Sequence, residues 1–118
     1  MELKLMKNKR IFVYDTTDEF SEFILKQYLK NFHIDVCTNP KAVDNYNYSV
    51  YDVFFLIVTE PKDITILFKT INNAHSVLFL GSSLKEIIGE FRESKRIIRL
   101  DLFQNKMKMK KFIDLKIN

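Results

Sequence analysis

Six apolar residues in unbroken succession, Val53-Phe54-Phe55-Leu56-Ile57-Val58, constrain this chain more than any other stretch. A strand with one face in water alternates polar and apolar residues. A run without alternation marks a strand covered on both sides, the usual state of a central strand in a parallel sheet. Such a sheet needs helices on each face, and parallel strands need crossover connections between them.

The rest of the chain supplies both. Arg10 to Tyr14, Ile34 to Cys37 and Val77 to Leu80 read as further short strands. Arg96 to Leu102 reads as a fifth, and its alternation of Arg with Ile and Leu predicts an edge strand less buried than the central one. Between the strands lie helical signals. Thr16 with Glu19 has the spacing of a capping box, followed by an apolar stripe of Phe20, Ile24, Tyr28 and Phe32, broadened by Phe23, Leu25 and Leu29. Asn39-Pro40 offers a cap and a first-turn proline, but the segment from Asp44 to Tyr48 lacks apolar periodicity, so a stunted or irregular helix is expected. A third helix is expected from Lys62 or Asp63, with Ile64, Leu67, Phe68 and Ile71 inward. A fourth begins at a Ser83–Glu86 capping box and carries Leu84, Ile87, Ile88 and Phe91. A last one is capped by Asn105, with Met109, Phe112, Ile113 and Ile117 inward. The pattern predicts an α/β fold: a three-layer α/β/α sandwich around a five-stranded parallel sheet, with right-handed crossovers.

Length and composition agree. The 118 residues make one domain, 1–118; with only two glycines and two prolines there is no linker or repeat to divide it. Hydrophobic residues form 47% of the chain, which argues for a packed core and against disorder. No apolar run approaches the roughly 18 residues of a membrane span, so no membrane partner is expected, and the charged start does not read as a signal peptide. The single cysteine, Cys37, cannot close an internal disulfide; a reducing, cytoplasmic setting is expected. The net charge of +4 is concentrated late: Arg92, Lys95, Arg96, Arg99, Lys106, Lys108, Lys110, Lys111 and Lys116 face only Glu90, Glu93, Asp101 and Asp114. Lysine-rich helix faces are commonly just solvated, but such a surface also suits an acidic partner.

The stretch Tyr51-Asp52-Val53-Phe54-Phe55-Leu56-Ile57-Val58-Thr59-Glu60-Pro61 resembles the third strand of bacterial response-regulator receiver domains. In that family an aspartate opens the strand, a phosphorylated aspartate follows it, and a proline stands four residues later. Asp52 and Pro61 fit both ends, while the phosphoacceptor position is Ile57. The resemblance extends over nearly the whole chain through the order and spacing of elements. It implies a flavodoxin-like strand order 2-1-3-4-5, with the functional crevice at the C-terminal ends of the strands. It places Tyr14 and Asp15 on the family's acidic pair, Gly81 with neighbouring Ser82 on the hydroxyl position, Asp101 on the lysine, and Ile98 on the switch aromatic.

Phosphoryl transfer on this fold needs a carboxylate nucleophile, oxygens to hold Mg²⁺ and a cation to clamp the phosphoryl group. Only Asp15 survives in kind, and Asp101 reverses the sign of the clamp. The resemblance is therefore to a degenerate, pseudo-receiver member: no enzyme, with no catalytic residues, metal or cofactor expected. Substitutes are poor. Asp52 lies roughly 16 Å from Ile57 along an extended strand, at the other end of the sheet. Glu60 and Asp63 belong to a loop, and Thr59 would need a kinase. Asp15 and Asp101 together would make a weak Mg²⁺ site; the ordinary alternative is that Asp15 caps the turn into the first helix and Asp101 pairs with a Lys or Arg.

Other candidates carry weaker signals. Cys37 has no partner, and His33 and His75 stand outside metal-binding spacings. Gly81-Ser82-Ser83 reads as a strand-to-helix turn before it reads as an anion site. Lys106 to Lys111 lacks the interleaved aromatics of a nucleic-acid interface, so nucleic-acid binding by this domain alone is not expected. What remains is surface. In the family the fourth helix, fifth strand and fifth helix dock partners or form dimers; here that face carries Ile87, Glu90, Phe91, Arg96, Arg99, Lys106 and Lys110. The expectation is a regulatory domain of a bacterial response regulator or transcription regulator, working through a protein partner or as a homodimer. The alternative is a small-ligand or nucleotide sensor, or an enzyme, using Asp15, Asp101, Ser82 and Tyr14 in the crevice.

Overall fold

The computed structural model describes residues 9–72, 76–84 and 97–117. Five strands, β1 (Arg10–Tyr14), β2 (His33–Cys37), β3 (Val53–Val58), β4 (Val77–Ser82) and β5 (Ile97–Arg99), form one sheet in the order β2-β1-β3-β4-β5. Every pairing is parallel. The helices are α1 (Glu19–Tyr28), α2 (Ile64–Thr70) and α3 (Lys106–Ile117), with 3₁₀ turns at Pro40–Asn45, Tyr48–Val50 and Pro61–Asp63. The strand order and class are those expected. Ile87, Glu90 and Phe91 of the expected fourth helix, Arg96 at the start of the expected fifth strand, and His75 lie outside the described residues.

Side-chain alternation along the strands divides the interior into two cores. Ile11, Val13, Val53, Phe55, Ile57, Phe79 and Leu100 face α1 and α3, meeting Phe20, Phe23, Ile24, Met109, Ile113 and Ile117. Phe12, Tyr14, Phe54, Leu56, Val58, Leu78, Leu80 and Ile97 face the opposite layer, meeting Val43, Ile66 and Leu67. All six residues of β3 are buried, as an unbroken apolar run requires. β5 is shorter than the expected Arg96 to Leu102, but it is an edge strand with burial falling from Ile97 to Arg99.

The second layer is irregular where the sequence lacked periodicity. Asn39 Oδ1 accepts from Lys41 N at 2.9 Å and Asn47 Oδ1 from Ser49 N at 3.2 Å, each starting one short 3₁₀ turn. Instead of a helical stripe, Tyr46, Tyr48 and Tyr51 surround Phe12 with ring centroids 5.0, 5.2 and 5.2 Å away. Edge-on and tilted aromatic contacts of this kind hold the segment against the sheet without a regular helix.

Three local expectations are corrected. Thr16 and Glu19 form no capping box: α1 begins at Glu19 after Asp18, which adopts φ 69°, and Asp15 caps it from further back. Leu29 lies beyond the end of α1 and is 57% exposed. Phe68 is 61% exposed, because the inward face of α2 is the one carrying Ile66, Leu67 and Thr70. The last helix follows expectation: Asn105 Oδ1 accepts from Met107 N at 2.8 Å, and Met109, Ile113 and Ile117 are buried.

Candidate functional site

The crevice lies where β1, β3 and β4 end. Ile57, one residue before the end of β3, pairs across the ladder with Gly81 in β4. Its side chain is 3% exposed and joins the core beneath α1 and α3. Leu102, just after β5, folds over both. A Cβ placed on Gly81 would come within 2.6 Å of Leu102 Cδ2 and 3.1 Å of Ile57 Cδ1. The position where the resemblance sets a carboxylate and a hydroxyl is therefore filled by hydrocarbon. Leu102 escaped sequence reasoning, which set Asp101 at this place. Period-two alternation was the available signal, since Ile98, Leu100 and Leu102 share one face and all pack on the same core.

Asp15 is fully buried and wholly engaged. One oxygen accepts from Thr17 N at 3.0 Å and Thr17 Oγ1 at 2.7 Å, and the other from Ser21 N at 2.9 Å. It ties the end of β1 to the start of α1, as its alternative reading held. Tyr14 points to the other side of the sheet, away from Ile57, and its hydroxyl donates to Asp63 Oδ1 at 2.6 Å. Burial, reinforced by this hydrogen bond to Asp63, raises the Tyr14 pKa well above that of a free phenol. Asp63, also fully buried, accepts from Thr59 N at 3.2 Å and Glu60 N at 3.1 Å, so it pins the loop after β3 to β1. The sequence marked Asp63 as a loop acid; its clamp on Tyr14 depends on β1 and β3 being neighbours.

The remaining polar candidates are used by the backbone. Ser82 Oγ donates to Val58 O at 2.7 Å and accepts from Leu84 N at 3.0 Å. Asp101 is exposed and accepts from Phe103 N at 3.0 Å; among the described residues it forms no ion pair, and Arg92, Lys95 and Arg96 lie outside them. Asp15 and Asp101 thus do not converge as cation ligands. Ile98 is partly buried against the α1–α3 core. Arg99 is exposed, and Lys106 Nζ lies 5.0 Å over the Phe23 ring. Lys110 is held within the chain, 2.7 Å from Asp114 Oδ2 and 5.4 Å above Tyr28.

Above the hydrocarbon plug lies a cavity of about 360 Å³ with Phe20, Ile57, Leu102 and Met109 among its lining and Thr59, Ser83 and Lys106 among its polar groups. Phe103, 94% exposed, lines it together with a second hollow of about 440 Å³ that reaches Ser82, Arg99 and Asp101. Among the described residues no three His, Cys, Asp or Glu side chains cluster as metal donors, and no helix is long and apolar enough to cross a membrane.

This arrangement of strands and helices is the fold of CheY-like response-regulator receiver domains. Among similar solved structures is the BeF3-activated receiver domain of DrrB from Thermotoga maritima, with a TM-score of 0.72, 11% identity, and coverage of 93% of this chain and 97% of that one. The chemotaxis protein CheY4 of Vibrio cholerae matches with a TM-score of 0.66 and 9% identity over 92% of this chain and 98% of its own. An adenylate cyclase structure from Rhodopirellula baltica matches with a TM-score of 0.70 and 13% identity, covering 93% of this chain and 87% of that one. No protein-family profile and no curated protein sequence matches the chain. At these identities the likeness establishes the fold alone.

Proposed function

We propose that the chain is a receiver-fold signalling module that acts through protein–protein contacts independently of aspartyl phosphorylation, as a regulatory domain of a bacterial response regulator or transcription regulator in the cytoplasm. The observation that supports this reading best is the contact of Ile57, Gly81 and Leu102, which occupies the phosphoacceptor region with side chains that neither accept a phosphoryl group nor hold a metal. The crevice carboxylates do not replace it, since Asp15 is committed to α1 and Asp63 to the loop after β3. Signal output then falls to exposed surface. β5 and α3 present Arg99, Lys106, Met107 and Lys108 to solvent, suited to a protein partner or to a second copy of the chain.

The test is incubation with acetyl phosphate and Mg²⁺, followed by intact-mass measurement under conditions that preserve acyl phosphates. The expected result is no gain of a phosphoryl group. An acid-labile phosphoryl adduct on any carboxylate would overturn the proposal. Sedimentation at low and high salt reports separately on self-association through the charged face.

A further inference from the structure

The cavity above Ile57 has a chemistry suited to a particular kind of small molecule. Its floor is hydrocarbon from the core beneath α1 and α3: Phe20, Ile57 and Met109 are buried, and Leu102 closes over Gly81 beside them. Two opposite charges reach its lining, Glu19 from the first residue of α1 and Lys106 from the first residue of α3. They are not spent on one another: among the described residues neither Glu19 nor Lys106 enters an ion pair, and Lys106 rests on the Phe23 ring.

These features select a ligand class. A phosphate or nucleotide could use Lys106 and the hydroxyls of Thr59 and Ser83, but it would set its charge beside the Glu19 carboxylate and leave the apolar floor uncovered. A purely apolar molecule would leave two charged groups partly desolvated and without partners. A zwitterion with an apolar side chain matches both charges and the apolar floor together. Its carboxylate would meet Lys106 at the start of a helix, where negative charge is favoured. Its ammonium would meet Glu19, and its side chain would replace water over Ile57 and Leu102. The volume of about 360 Å³ lies at the small end of the range for ligand pockets, fitting a single metabolite.

We infer that the strand-end cavity binds a hydrophobic α-amino acid, of the leucine or methionine type. Such a ligand would bridge the starts of α1 and α3 and would serve as an input in place of a phosphoryl group, which makes this inference rest on the phosphorylation-independent role proposed above.

The experiment is calorimetric titration of the whole chain with L-leucine and L-methionine, with isovalerate and isoamylamine as probes carrying one charge each. Glu19→Gln and Lys106→Met variants are titrated alongside, both first checked for unchanged melting temperature. Saturable binding of either amino acid is expected, weakened about tenfold or more by each substitution and by removal of either charge from the ligand. Absence of binding at millimolar amino acid would overturn the assignment, and so would isovalerate or isoamylamine binding as tightly as leucine. The phosphodonor test keeps the two proposals apart. No phosphoryl gain with no leucine binding removes the ligand alone, whereas a phosphoryl gain removes the underlying role whatever leucine does.

Discussion

Three residues far apart in sequence, Ile57, Gly81 and Leu102, pack against one another at the end of the sheet. Gly81 adopts no left-handed backbone conformation, so its small size answers to packing, not to torsion. The Leu102 side chain occupies the space that any Cβ at position 81 would need. Gly81→Ala should therefore destabilise the fold by about 1–3 kcal/mol, the usual cost of forcing a methyl group into a filled interior. Leu102→Ala should cost stability by itself, yet it should relieve most of the strain from Gly81→Ala when the two are combined. Urea unfolding of the four proteins in that cycle measures the coupling. Strict additivity would mean that the two side chains do not compete for the same space.

At the scale of elements, the strands were legible because burial leaves a direct mark on them. β1, β3 and β4 are short apolar runs whose start residues the sequence placed correctly, and the alternation in β5 marked an edge. Helix starts were less legible because capping spacing is a local signal and tertiary geometry overrides it. Thr16 and Glu19 have the right separation, but buried Asp15 sits at the end of a strand and reaches Ser21 N first. The hydrocarbon plug was half legible: the resemblance to receiver domains set Ile57 and Gly81 at the strand ends, whereas Leu102 required knowing which way the chain leaves β5. The tyrosines from 46 to 51 showed only as broken periodicity, since their common target, Phe12, is on a distant strand. That target gives the irregular segment its cohesion. Phe12→Ala should destabilise the protein by about 3–5 kcal/mol, as loss of a fully buried aromatic ring does. It should also loosen the 3₁₀ turns selectively. Hydrogen exchange should show protection at Ala42 N, bonded to Asn39 O, falling more than at Leu29 N, bonded to Leu25 O. Equal loss at both amides would mean that the ring supports the whole fold without favouring this layer.

Across the whole molecule, the five tyrosines share one direction of pKa shift, upward. Each hydroxyl donates a hydrogen bond inside the chain: Tyr14 to Asp63, Tyr28 to Asp114, Tyr46 to Val36 O, Tyr48 to Val43 O and Tyr51 to Asp35. Burial is the leading cause that raises all five pKa values above the ordinary 10.0, and for Tyr14, Tyr28 and Tyr51 a hydrogen bond to a carboxylate adds to it. A tyrosinate would lose its donor, and in those three cases would place a second negative charge beside the first. An acid with a folded pKa above its unfolded value binds its proton more tightly when folded. Its stabilising contribution is complete below the unfolded value of 10.0 and is lost as pH climbs past it. With five such groups the losses accumulate, so urea midpoints should hold steady up to about pH 10 and then fall steeply. Tyrosinate absorbance should rise together with the loss of helical circular dichroism, because the phenols ionise as the fold opens. Five phenols titrating near the ordinary value while the circular dichroism stays native would contradict that coupling and place the hydroxyls in water.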